Sequence, residues 1–458
     1  MRRWLRRIVV VVVVVFLLAA ATWSASRLRG PTAEQRQALE LFQSMPAPEG
    51  SNVFAALWLL PWDVPPAEQA AVVAEDARRF GALPPPGDPA RAAAAGAFRS
   101  VAADRYRDLE ADLPAEPASC VLQAGGCLAT VREERDAHAA RLEAAAPLLD
   151  RVEAVFDHDH YRSRLPLAFD MPFPRLPLMS LAGTRHALQF VDGDVDGALA
   201  GACRALGGWR RLAGNSDTLL VAMYAAASVG SQAALLAEML AELPVEHPVP
   251  AACTKALAPL RAGEMGLCRA LRGEWEFGST GLDMIEPGET RWARLQRSLI
   301  LDRKATEALS AWNLSGACGE EAAAALAEDR PMSQRRDDGR AWRFECVANS
   351  AGCVLMDIAR PAYVDYGLRM QDARARIRLV AAVEWMRGQA AAGDPRAAGE
   401  LLKEFPGGLR SQARAVDIDP ESGRLRMALF HARQDAHWSI PLPPALSAPG
   451  EGDASAAR

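Results

Sequence analysis

Lysine is nearly missing from this chain of 458 residues: Lys255, Lys304 and Lys403 are the only ones among 52 basic side chains. Together with the abundant alanine, this reads as the bias of a GC-rich genome. Arginine clusters such as Arg210-Arg211 and Arg335-Arg336 then read as solvated faces. Excess charge is missing too. The net charge of −5 excludes the basic footprint of a nucleic-acid binder. Catalytic signatures are equally scarce: there is no G-x-S-x-G elbow, no S-x-x-K, no H-E-x-x-H and no G-x-x-x-x-G-K-[ST]. No cofactor is called for. A glycosidase with two carboxylates needs no such motif, so these absences leave that one class of enzyme open.

What is present begins with "MRRWLRRIVVVVVVVFLLAAATW", in which Arg2, Arg3, Arg6 and Arg7 precede an uncharged apolar run from Ile8 to Trp23. Such a run reaches about 24 Å as a helix, close to the ~30 Å hydrocarbon core of a bilayer. The leading arginines favour a cytoplasmic amino end and an exported body. A cleaved signal peptide is the rival reading, but Thr22 and Trp23 follow Ala21 where small residues belong, and only "SAS" at 24–26 offers them. The expectation is therefore an uncleaved signal-anchor in a bacterial inner membrane, with the body in the periplasm.

Eight cysteines fit an oxidising compartment. "CVLQAGGC" (Cys120, Cys127) and "CVANSAGC" (Cys346, Cys353) share a spacing too wide for a zinc knuckle, and no C-x-x-C redox pair occurs. Each reads as a disulfide-closed loop at the start of a helix. Cys253 and Cys268 lie in one helical pattern, 251–272, and would be about 22 Å apart on a continuous helix, beyond disulfide reach. Two pairings of Cys203, Cys253, Cys268 and Cys318 survive, and Cys203–Cys268 with Cys253–Cys318 is preferred because a following antiparallel helix would return Cys318 beside the start of the previous one.

Along the chain the pattern is mainly α. A stub and transmembrane anchor over 1–30 leads to a helical region with the first cysteine loop (31–165). There follow an irregular array of antiparallel αα-hairpins (166–410), a small antiparallel β-meander (411–443) and a disordered tail (444–458). "SDTLLVAMYAAASVGSQAALLAEMLAELP" carries an apolar stripe with small alanines between, the pattern of closely packed helices. Ser216 can cap this helix and Pro244 stop it. At the carboxyl end Val416, Ile418, Leu425, Met427, Trp438 and Ile440 alternate around the turn signal Asp-Pro-Glu-Ser-Gly at 419–423. No fixed repeat period is found.

Three constellations are candidate sites. "DGDVDG" sets Asp192, Asp194 and Asp196 at the spacing of a calcium loop. Its twelfth position, where a bidentate Glu belongs, holds Cys203. A turn and helix cap fits better. "DHDHYR" offers His158 and His160 as half of a zinc or copper site, yet no third ligand can be nominated, which favours a surface loop. Asp357, Arg360, Tyr363, Tyr366 and Arg369 could share a helical face for an anionic sugar or peptide terminus if Pro361 sits in a first turn. The same residues could equally make an exposed intrahelical salt bridge. The expected role is that of a membrane-anchored scaffold or partner-binding protein of the envelope, its partners being the membrane and an unidentified envelope protein. The alternative is a wall hydrolase using paired carboxylates.

Overall fold

The computed structural model describes residues 2–85, 88–114, 126–284, 290–332, 343–394, 396–411, 413–431 and 437–447. It is mainly helical, as its sequence pattern predicts. Helix α1 (Arg2–Arg29) carries the apolar run and is long and apolar enough to cross a membrane. Its apolar residues from Ile8 to Leu18 are exposed, with none of the described residues covering them.

Helix α2 (Ala33–Ser44) starts at a reciprocal capping box between Thr32 and Gln35. The short α3 (Phe54–Trp58) is core: Trp58 is buried, and its indole N–H donates to Asp76 at 2.8 Å. Asp76 lies on α4 (Pro66–Gly81), which is followed by α5 (Pro89–Gly96) and α6 (Ala102–Arg105). Three helices follow the first cysteine loop: α7 (Cys127–Glu133), α8 (Arg135–Ala144) and α9 (Ala146–Ala154). Pro147 starts the third.

The centre is built from α10 (Ser180–Val191), α11 (Val195–Gly214) and α12 (Leu219–Glu242). Helix α12 is apolar on every side and packs against both α11 and the 42-residue α18 (Ser350–Ala391). It too is long and apolar enough to cross a membrane, but it is mostly buried, as a core helix is. Its cap is Thr218, which accepts the Val221 N–H. Ser216, expected to cap, instead donates to the Leu212 carbonyl. One cluster of buried apolar residues extends from Ala38 to Leu446.

The predicted helix 251–272 breaks in two. Helix α13 (Ala251–Ala256) ends before Pro259, the chain turns through Gly263 and Met265 with positive φ, and α14 (Cys268–Met284) begins anew. This corrects the cysteine pairing. Disulfides join Cys203 to Cys253 and Cys268 to Cys318, with Cα separations of 4.8 and 4.7 Å. Cys346 is bonded to Cys353 in the first turn of α18, as expected. Cys127 is disulfide-bonded, and its expected partner Cys120 lies outside the described residues.

Helices α15 (Arg291–Ile300), α16 (Arg303–Leu314) and α17 (Glu320–Glu328) follow α14, and the short α19 (Ala398–Leu401) follows α18. Helix α18 runs unbroken from Ser350 to Ala391, so Pro361 lies inside it and not in a first turn. Strands β1 (Val416–Ile418), β2 (Leu425–Ala428) and β3 (His437–Ile440) form the expected antiparallel meander, with Met427 opposite Trp438. Asp419 accepts the N–H groups of Glu421 and Ser422 to close the predicted turn. A buried ion network fixes the meander to α18. Arg414 contacts Asp329 at 3.0 Å and Asp372 at 2.6 Å, and Asp372 also accepts the N–H groups of Phe430 and His431. The segment expected to be disordered from 444 includes a 3-10 turn at Pro444–Leu446, whose Leu446 is buried; 448–458 lie outside the described residues.

Arginines in the interior meet open helix ends. Arg387 on α18 donates to the carbonyls of Leu240, Leu243 and Pro244 at 2.7, 3.0 and 2.8 Å, closing the end of α12. Arg210, read from sequence as a solvated face, is buried and donates to Ala256 and Ala258 at the end of α13 while pairing with Glu264. Arg335 and Arg336 lie outside the described residues.

Two predictions follow from this packing. Replacing a desolvated charge with an apolar side chain can be neutral, but Arg387→Met also leaves buried carbonyls unmet, at roughly 1–3 kcal/mol each. The Met variant is expected to lose about 3 kcal/mol in chemical denaturation, with Arg387→Lys recovering only part because an ammonium lacks the planar fork. Unchanged stability of the Met variant would contradict the role. The second concerns Asp217, over which α14 passes so closely that a Cβ on Gly273 would lie 1.6 Å from its carbonyl oxygen. Burial pushes the Asp217 carboxyl up to about 6, against the opposing hydrogen bond from the Ser163 N–H. The folded chain thus holds this proton more tightly than the unfolded one. The stabilisation is full at about pH 4 and lost as pH rises through about 6, on the order of 3 kcal/mol. Asp217→Asn should flatten that part of the stability–pH profile; equal slopes in both proteins would refute it.

Candidate functional site

A cavity of about 360 Å³ opens between α14, α16, α17 and α18, within the ~300–1,000 Å³ range of ligand pockets. Its framework is set by particular contacts. The Cys268–Cys318 bond ties the first residue of α14 to the 3-10 turn that follows α16. The Trp275 indole N–H donates to the Glu307 carbonyl at 3.0 Å, holding α14 on α16. Gln371 of α18 bonds both the Arg330 carbonyl and the Met332 N–H, at 2.6 and 2.9 Å, pinning the segment after α17. Gly367 makes room there, since a Cβ would lie 3.0 Å from the Met332 sulfur.

The walls are largely apolar, with Leu271, Leu314, Ala322, Met332, Met356 and Val364 among them. A few polar groups converge on this lining. Burial raises the Glu274 carboxyl above the usual carboxylate range, opposed by a hydrogen bond from the Leu219 N–H at the start of α12. Burial, with Glu274 and Tyr366 nearby, pushes the Tyr363 hydroxyl up to about 12, so it stays a protonated donor. The Asn313 side-chain amide nitrogen is buried without a hydrogen-bond partner in the structure. Glu320 and Glu321 occupy the exposed first turn of α17 at the rim, and Glu321 pairs with Arg330 at 3.2 Å. Chemically the cavity suits an apolar group carrying one or two hydrogen-bonding atoms.

Of the described residues singled out on the helical face at 357–369 (Asp357, Tyr363, Tyr366 and Arg369), Tyr363 is the one that lines this cavity. Asp357 pairs with Arg343 at 2.7 Å, and the Arg360 side chain lies outside the described residues. Tyr366 sits beside Tyr363 with ring centroids 6.4 Å apart. Arg369 lies over the Tyr366 ring and donates to His431.

The acidic triplet is dispersed: Asp192 pairs with Arg135 at 2.7 Å, Asp194 caps α11 through the Gly197 N–H, and Asp196 faces His247 at 3.3 Å. The turn that carries them follows α10 directly. The imidazole of His160 bonds the Glu49 carbonyl at 3.2 Å, and burial holds both His158 and His160 below the usual histidine pKa. Among the described residues no cluster of three or more His, Cys, Asp or Glu could hold a metal. Glu274, Asn313 and Met332 went unnoticed in the sequence, because they come from three separate segments and none carries a motif. Comparisons with protein-family models, curated proteins and solved structures give no match for this chain.

Proposed function

We propose that the chain is a membrane-anchored partner-binding protein of the bacterial envelope, with α1 as an uncleaved signal-anchor and the body in the periplasm. The successive packing of α10 on α11 and α11 on α12 is read as part of an irregular array of antiparallel hairpins. The binding site in this reading is the cavity between α14, α16, α17 and α18, and its occupant is an apolar segment of a partner envelope protein.

The observation that carries the reading is the apolar lining with Tyr363 and Asn313 as donors. Disulfides favour a non-cytoplasmic body, and the arginines ahead of the apolar run favour its export. A wall hydrolase would need two acids working across a substrate. Here Glu274, half-buried, is engaged by the α12 start, and Glu321 is engaged by Arg330.

The test is Val364→Trp, which fills the cavity from a half-buried position. Crosslinked complexes captured from solubilised membranes should lose the wild-type partner while the thermal midpoint stays unchanged. Identical capture by both proteins would overturn the reading. So would release of soluble glycan fragments from peptidoglycan by the wild type and not by Glu274→Gln, which would establish the hydrolase instead.

A further inference from the structure

Helix α15, "RWARLQRSLI", buries none of its residues fully. At 100° per residue, Leu295, Leu299, Trp292 and Ile300 fall on one arc, and Arg291, Arg294 and Arg297 on the other. Water-soluble helices turn the apolar arc inward; α15 does the reverse. Trp292 is 65% exposed, and Leu295, Leu299 and Ile300 are about half exposed, whereas Ala293 and Arg297 are the shielded positions. The helix contacts α18, whose early residues Val354 and Ile358 are exposed apolar side chains as well.

Position says what covers this face. The Trp23 indole N–H donates to the Leu299 carbonyl at 2.7 Å, fixing the end of α15 to the point where the apolar run of α1 stops. Beside it, Arg27 donates to the Leu301 carbonyl and pairs with Asp302, both at 3.3 Å. Ser26 accepts the Ala348 N–H and donates to the Phe344 carbonyl, just ahead of α18. The apolar surface of α15 is therefore continuous with that of α1 at the level where a tryptophan ends a membrane span.

We infer that α15 is an interfacial helix that lies on the bilayer beside α1. Its apolar arc is buried among phospholipid acyl chains, and Arg291 and Arg294 sit at headgroup phosphates. The chemistry is that of a short amphipathic helix with arginines on the polar side and tryptophan and leucine on the other. The inference rests on the reading of α1 as a membrane span. It adds a second, non-spanning contact that sets the body against the membrane surface.

The experiment places p-benzoylphenylalanine at Leu295, at Val12 in α1 or at the exposed Ala74 on α4. The full-length protein is reconstituted in vesicles of phosphatidylethanolamine and phosphatidylglycerol, irradiated, and read by mass spectrometry. The Val12 and Leu295 probes should carry lipid adducts severalfold above the Ala74 background. Lipid at Val12 with a second polypeptide, or no lipid, at Leu295 sinks the interfacial helix and leaves the anchor standing. No lipid at Val12 removes the anchor, and this inference with it.

Discussion

Helix ends buried in an interior leave carbonyl groups that must be met, and in this fold arginine meets them. Arg387 closes the end of α12, Arg210 the end of α13, and Arg374 bonds the Leu326 carbonyl near the end of α17 together with the Glu264 carbonyl. Each reaches between segments distant in sequence, so each also fixes how two helices lie. Burial is opposed by the charge: it lowers the pKa of Arg374 to about 10 and depresses that of Arg387. The guanidinium bears this because its planar fork serves several acceptors at once, which a lysine ammonium does not match.

The same framework joins α1, a helix long and apolar enough to cross a membrane, to the cavity. Ser26 and Arg27, at the base of α1, bond the backbone just before α16 and α18, and those two helices supply much of the cavity wall. Trp312 extends the link, its indole N–H donating to Glu34 of α2 at 3.2 Å. Helix α1 is thus held to the body by specific bonds. On the proposed reading of α1 as a membrane span, binding in the cavity would occur at a fixed offset from the bilayer.

Elements that depend on local pattern were legible in the sequence. The apolar run of α1, the Ala- and Leu-rich α12, the turn at Asp419–Gly423 and the alternating meander all follow from period and turn chemistry. What depends on long-range pairing was not. The cysteine pairs were misassigned because the break at Pro259–Gly263 was read as helix, and a continuous helix makes the wrong thiols neighbours. Arg210 was read as solvated since composition alone cannot separate a genomic arginine from one that binds carbonyls. Of the cavity, Tyr363 was singled out, whereas Glu274 and Met332 acquire meaning only when α14 and the segment after α17 meet α18.

The account stands on where the body resides. Among the described residues three disulfides join its segments, and such bonds form and persist in oxidising compartments. The direct measurement is trapping of thiols with a membrane-permeant alkylating reagent in living cells, followed by mass spectrometry of the cysteine peptides. Bonded Cys203–Cys253, Cys268–Cys318 and Cys346–Cys353 with no alkylated thiol at these positions is the predicted result. Free, alkylated cysteines at these six positions would contradict it.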